Sequence, residues 1–99
     1  MNARSIWLPV ALSWCAVAGA ADALNGAELY RNHCSQCHGN DGRPVLPTAP
    51  DFSRPTALLK SDLTLLGSIR AGRGGMPAYQ GQLRDREILD IVSHLRTFR

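Results

Sequence analysis

The stretch Cys34-Ser35-Gln36-Cys37-His38 decides how the rest of this chain is read. Two cysteines three residues apart at a helix end present both sulfurs to one edge of a flat ring system. The next residue places an imidazole beneath its centre. That pattern is the attachment sequence for a haem c held through two thioethers, with His38 as the proximal iron ligand. A thioredoxin-like thiol pair shares the spacing but wants a βαβ context, and a structural zinc site wants four ligands. Beyond Cys34, Cys37 and His38, only His33 and His94 remain, and the adjacency of His33 to Cys34 makes a tetrahedral arrangement awkward.

Downstream, Gly74-Gly75-Met76-Pro77 supplies the candidate second iron ligand. Apart from Met1, Met76 is the sole methionine of the chain. A lone methionine is usually a core gap-filler. This one sits in a Gly/Pro loop off every helical stripe, where a soft thioether suits iron and His/Met ligation raises the reduction potential. The rivals fit less well. His33 approaches from the same segment as His38, and His94 falls at the border of an apolar helical stripe, facing Asp90 one turn earlier.

Around these residues the pattern is helical. Asn25 and Glu28 are spaced as a capping box, with Leu24 and Leu29 at the staple positions, and predict a helix from about Gly26 to Cys34. Ser61 or Asp62 caps a second helix, in which Leu63, Leu66 and Ile69 recur every three residues with Leu65 beside them, and Gly72 stops it. Asp85 caps the last, whose stripe is Ile88, Ile91, Val92, Leu95 and Phe98, with Arg86, Asp90, Ser93 and Thr97 opposite. Between them lie two Gly/Pro-rich loops, 39–55 and 72–81. So long a loop in so small a domain is expected only where it wraps something.

At the other end, Arg4, a mostly apolar run from Ile6 to Ala18, and the cluster Ala16-Val17-Ala18-Gly19-Ala20-Ala21 follow the order of a secretory signal peptide, with cleavage expected after Ala20. The run is too short for the ~20 residues of a membrane span. Cys15 lies within it, but Trp14 directly before Cys15 is a poor fit to a lipoprotein signal, and Cys15 is expected to leave with residues 1–20. The remaining domain, 21–99, holds ten basic residues against eight acidic ones and no basic run, which argues against a nucleic-acid partner. At about 79 residues it lies where one apolar core is marginal and a staple is needed. A buried porphyrin attached at two points is both filler and crosslink.

Taken in order, the Gly26/Tyr30 helix, Cys34-Ser35-Gln36-Cys37-His38, a Pro-bearing loop, Gly75-Met76-Pro77-Ala78-Tyr79 and a C-terminal helix from Leu83 to Phe98 closely resemble the class I cytochromes c, over essentially all of residues 21–99. The resemblance implies an all-α cytochrome c fold, three to four helices wrapped around one covalently attached haem. It also implies terminal helices that cross with Gly26 at the close approach, a carbonyl from 47–50 holding the second nitrogen of His38, and Tyr79 on the haem edge. Relatives usually carry an aromatic where this chain has His94. Arg70 and Arg73 either pair with haem propionates or are solvated.

With His38 and Met76 both on iron, no position stays open for substrate. The expected function is therefore that of a soluble periplasmic electron carrier between respiratory redox partners, a monomer meeting its donor and acceptor transiently and catalysing nothing itself. The alternatives are a haem subunit or accessory of a larger periplasmic oxidoreductase, and a catalytic haem with an open sixth position.

Overall fold

The computed structural model describes residues 3–7, 9 and 20–98. Most of the expected signal peptide, including Cys15, lies outside them. Among the described residues four α-helices follow one another: α1 (Ala23–His33), α2 (Ser35–His38), α3 (Asp62–Ala71) and α4 (Asp85–Leu95), with a 3-10 turn at Pro55–Leu58. Among the described residues there is no strand, only isolated bridges at Arg73/Met76 and Gln80/Leu83. No helix among the described residues is long and apolar enough to cross a membrane.

Helix α1 starts earlier than the Asn25 capping box predicts. Asp22 is the N-cap, its Oδ1 accepting from the N–H groups of Leu24 and Asn25 at 2.9 and 3.1 Å. Asn25 is spent elsewhere, its Nδ2 donating to Asp90 at 2.9 Å, and Leu24 is exposed, so no hydrophobic staple forms. In α3, Ser61 is the cap and accepts from Thr64 N–H. The buried face is Leu65, Leu66 and Ile69, whereas Leu63 points to solvent. Helix α4 is preceded by Arg84, whose N–H donates to Glu87 Oε1 at 3.0 Å. Asp85 is therefore not the cap but the first helical residue, where a carboxylate complements the helix dipole.

The apolar stripe of α4 is buried as its spacing predicts, through Ile88, Ile91, Val92 and Leu95. Phe98 lies beyond the helix end and still joins this cluster, its ring edge-on to Tyr30 at 5.2 Å. On the opposite face the expectation fails at Asp90, which is only 5% exposed because α1 crosses over it. A Cβ on Gly26 would lie 1.8 Å from the Asp90 carbonyl oxygen, so the two backbones touch there. His94 does not pair with Asp90. Its ring packs 5.2 Å from Tyr30 and 4.8 Å from Phe98, taking the place of the usual interhelical aromatic. At the C-terminal end of α4, Arg96 reaches the Leu58 and Lys60 carbonyls and Asp62, tying α4 to the start of α3.

Two outcomes test this packing. Gly26→Ala should destabilise the protein by about 2–3 kcal/mol or more, read as the urea midpoint, because the methyl meets backbone that cannot rotate away. Burial, and then the nearby Arg31 charge, lowers the His94 pKa below its usual value. The unfolded chain therefore binds the proton more readily, and this group costs stability as pH falls from about 6.5 through the lowered folded value. The urea midpoint of His94→Phe should accordingly fall less than wild type between about pH 7 and pH 5.

Candidate haem site

A cavity of about 580 Å³ opens between α1, α3, α4 and the two loops, within the range of about 300–1,000 Å³ usual for cofactor-sized ligands. Cys34, Cys37, His38 and Met76 all line it, together with apolar side chains that include Leu65, Ile69, Ile91 and Leu95. Residues 42 positions apart in sequence thus share one enclosure. His33 also lines it, from beside Cys34, whereas His94 does not.

The cysteine motif is held at both ends. After α1, the chain turns at Cys34, whose carbonyl accepts from the N–H groups of Cys37 and His38 at 3.3 and 3.0 Å. The Tyr79 hydroxyl donates to the His33 carbonyl just before the motif, and the Tyr30 hydroxyl to the Gly39 carbonyl just after it, each at 2.7 Å. Burial pushes the Tyr30 phenol well above its ordinary range, with the neighbouring Cys34 and Asp41 adding to the effect, so it stays a donor. Neither clamp is visible from spacing. Tyr79 also lines the cavity, in keeping with its expected place at the ligand edge. Val45 and Leu46 donate to the Cys37 carbonyl at 2.9 and 3.2 Å, drawing the 39–55 loop against the same motif.

His38 is 9% exposed and stacks on Phe52, ring centroids 4.7 Å apart. Burial lowers its pKa, favouring the neutral imidazole that binds metals. Its Nδ1 is buried without a hydrogen-bond partner. Thr48, Ala49 and Pro50 line the cavity, but no carbonyl of 47–50 accepts from His38, contrary to the expected arrangement.

Met76 is presented by a tight turn. Arg73 and Met76 exchange backbone hydrogen bonds, at 3.1 and 2.9 Å, with Gly74 at φ +55°. Gly72, at φ +72°, lets the chain double back: a Cβ there would lie 2.7 Å from the Met76 carbonyl oxygen and the Ala78 nitrogen. Beyond the turn, Tyr79 and Gln80 donate to the carbonyls of Ile69 and Arg70, returning the loop to α3. Arg70 itself pairs with Asp85 at 3.3 Å, while Arg73 and Lys60 line the cavity.

These features fit a covalently held haem. The enclosure is mostly apolar, and two thiols and a buried imidazole whose charged form is disfavoured lie at its wall. The competing readings find less. Cys34 and Cys37 are free thiols, and burial, then the neighbouring Cys37, pushes the Cys34 thiol up to about 11, opposite to an activated redox pair. Among the described residues, no three His, Cys, Asp or Glu side chains converge to hold a metal ion.

Residues 21–95 match the family described as cytochrome c oxidase, cbb3-type, subunit III. The chain belongs to this family of c-type cytochromes. Its cofactor is accordingly haem c, covalently attached. The chain is similar to cytochrome c6 of Thermosynechococcus vestitus, 28% identical over 95 residues covering 92% of this chain and 83% of that one. It is 30% identical to the cytochrome c subunit of the quinone alcohol dehydrogenase of Gluconobacter oxydans, over 72% of this chain but 17% of that protein. Among solved structures, the KustC0563 c-type cytochrome superposes with a TM-score of 0.69 at 29% identity, covering 75% of this chain and 96% of that one. Cytochrome c6 of the diatom Phaeodactylum tricornutum, 22% identical over 75% of this chain and 90% of that one, shares the fold with a TM-score of 0.65.

The phenol clamps give a further test. Tyr30→Phe leaves the buried Gly39 carbonyl with only the long bond from Gly42 N–H, at 3.5 Å, and should cost about 1–3 kcal/mol. Tyr79→Phe, whose bond is only partly buried, should cost less, both being read from urea unfolding of the holoprotein.

Proposed function

We propose that residues 1–20 are removed as a signal peptide and that residues 21–99 act in the periplasm as a monomeric electron carrier, meeting donor and acceptor proteins transiently and catalysing no reaction. The observation that carries this reading is the gathering of Cys34, Cys37, His38 and Met76 at one cavity. Cys34 and Cys37 would supply the thioether sulfurs, and His38 and Met76 would hold the iron. When bound, the haem supplies a one-electron ferrous/ferric couple.

The remaining contributions come from the chain. Phe52 stacked on His38 and the phenol clamps on either side of the motif fix the proximal imidazole, so that little rearrangement accompanies a change of charge at the site. Leu65, Ile69, Ile91 and Leu95 keep water from the enclosed side. With His38 and Met76 both holding the iron, no coordination place would remain for a substrate or for oxygen. Cys37 is exposed, so the attachment edge lies near solvent, where a partner can approach without entering the protein.

A second reading is supported by the likeness to the dehydrogenase cytochrome c subunit: that this chain serves as the haem subunit of a larger oxidoreductase. Co-elution with a larger partner from the native periplasm would favour it over the free carrier.

The optical spectrum of the purified protein tests the ligation. The weak red band of methionine sulfur on ferric iron should be present, and Met76→Ala should abolish it. High-spin ferric iron in the wild type, with ready uptake of added ligands, would overturn the carrier reading in favour of a catalytic haem with an open position.

A further inference from the structure

Asp90 is the one carboxylate buried in the α1–α4 contact, and both its oxygens face the start of α1. Oδ1 accepts the N–H of Asp22 at 2.7 Å, and Oδ2 accepts Asn25 Nδ2 at 2.9 Å. Both donors are neutral. Among the described residues, no lysine, arginine or histidine forms an ion pair with Asp90: Arg86, one turn earlier on α4, is exposed, and the charges met at the buried side are the Asp22 carboxylate at the α1 cap and Glu87 on α4, which senses Asp90. Buried carboxylates are rarely left without a cation. The missing charge is one residue away. Ala20 and Ala21 are exposed, ahead of the Asp22 cap, and the sequence Ala18-Gly19-Ala20-Ala21 is the expected cleavage junction.

We propose that Asp90 is the receptor for the amino terminus that processing creates at Ala21. Hydrolysis of the Ala20–Ala21 amide by one water leaves a carboxylate on the departing peptide and an ammonium on Ala21. Consecutive Cα atoms lie about 3.8 Å apart, so this ammonium arises within a residue's length of the nitrogen already bonded to Asp90. The new charge adds an ion pair to a carboxylate that otherwise meets only neutral donors, at the point where α1 docks on α4. Removal of residues 1–20 then not only releases the domain but tightens it. The inference rests on the processing reading above.

The experiment separates the two. Intact mass of the exported holoprotein should place its first residue at Ala21; a different first residue overturns the processing reading, and the pairing with it. With Ala21 first, an NMR titration of the α-amino group should give a pKa raised clearly above the about 7.7–8.0 of a free terminus. Asp90→Asn should return it to the ordinary range. Should that variant fold poorly, inserting Gly-Ser after Ala21 keeps the junction and Asp90 while moving the ammonium outward. The insertion should lower the unfolding constant's advantage roughly tenfold for each unit by which the α-amino pKa had been raised. A raised pKa stabilises the folded state fully below the unfolded value, so the difference should be complete below about pH 7.5 and vanish as pH rises through the folded value. Correct processing with an ordinary α-amino pKa, or an insertion without effect at pH 7, would overturn the pairing alone.

Discussion

Because a methyl group on residue 26 would lie 1.8 Å from the Asp90 carbonyl oxygen, α1 and α4 cross with their backbones in contact, and the rest of the domain is placed from that crossing. It sets Tyr30 into the angle between the helices, beneath His94 and Phe98. From there the Tyr30 hydroxyl reaches the Gly39 carbonyl, beyond the end of α2. The position of the cysteine motif is therefore inherited from a helix crossing that contains none of the motif's own residues. A loss of the close approach at Gly26 moves Tyr30, and with it one of the two clamps on the segment from Cys34 to His38.

The second clamp belongs to the other half of the chain. Tyr79 follows the Met76 turn, is fixed to α3 through the Ile69 carbonyl, and donates to His33. The cysteine motif and the methionine turn thus face one cavity while being joined behind it by a phenol. For a domain near the lower limit of self-sufficient folding this arrangement has a clear logic. Backbone bonds to Cys37, Ile69 and Arg70 hold the long loops in place, and the cavity they enclose is completed by the cofactor.

Much of this is legible in the residue order, and the part that is not shares one cause. The cysteine motif, the Met76 loop and the apolar faces of α3 and α4 are local patterns, written in spacings of one to four residues, and they carry over into the structure with small shifts at Asp22, Leu63 and Asp85. Asp90 does not. An acidic residue on the polar side of an amphipathic helix reads as solvated, and only the arrival of α1 over it, 65 or more positions earlier in the chain, makes it buried. The hydrogen bonds of the Tyr30 and Tyr79 hydroxyls escape the residue order for the same reason: their carbonyl partners are chosen by tertiary placement. His94 is the instructive case in the other direction. As a departure from the usual aromatic it suggests a weakened crossing, yet a neutral imidazole offers a flat face of its own and packs between Tyr30 and Phe98.

The two candidate axial residues are held by unequal means, and this asymmetry bears on what the site can become. His38 ends a helix, is stacked on Phe52 and is flanked by two phenol hydrogen bonds, so its position is over-determined. Met76 depends on a four-residue turn closed by one pair of backbone bonds, with two glycines inside it and Gly72 behind. On the ligation proposed above, a longer turn, or the loss of the Arg73–Met76 exchange, would release the distal side while leaving the proximal side intact, so whether the site is closed is decided in the backbone of residues 72–76 rather than in the cysteine motif that announces the cofactor.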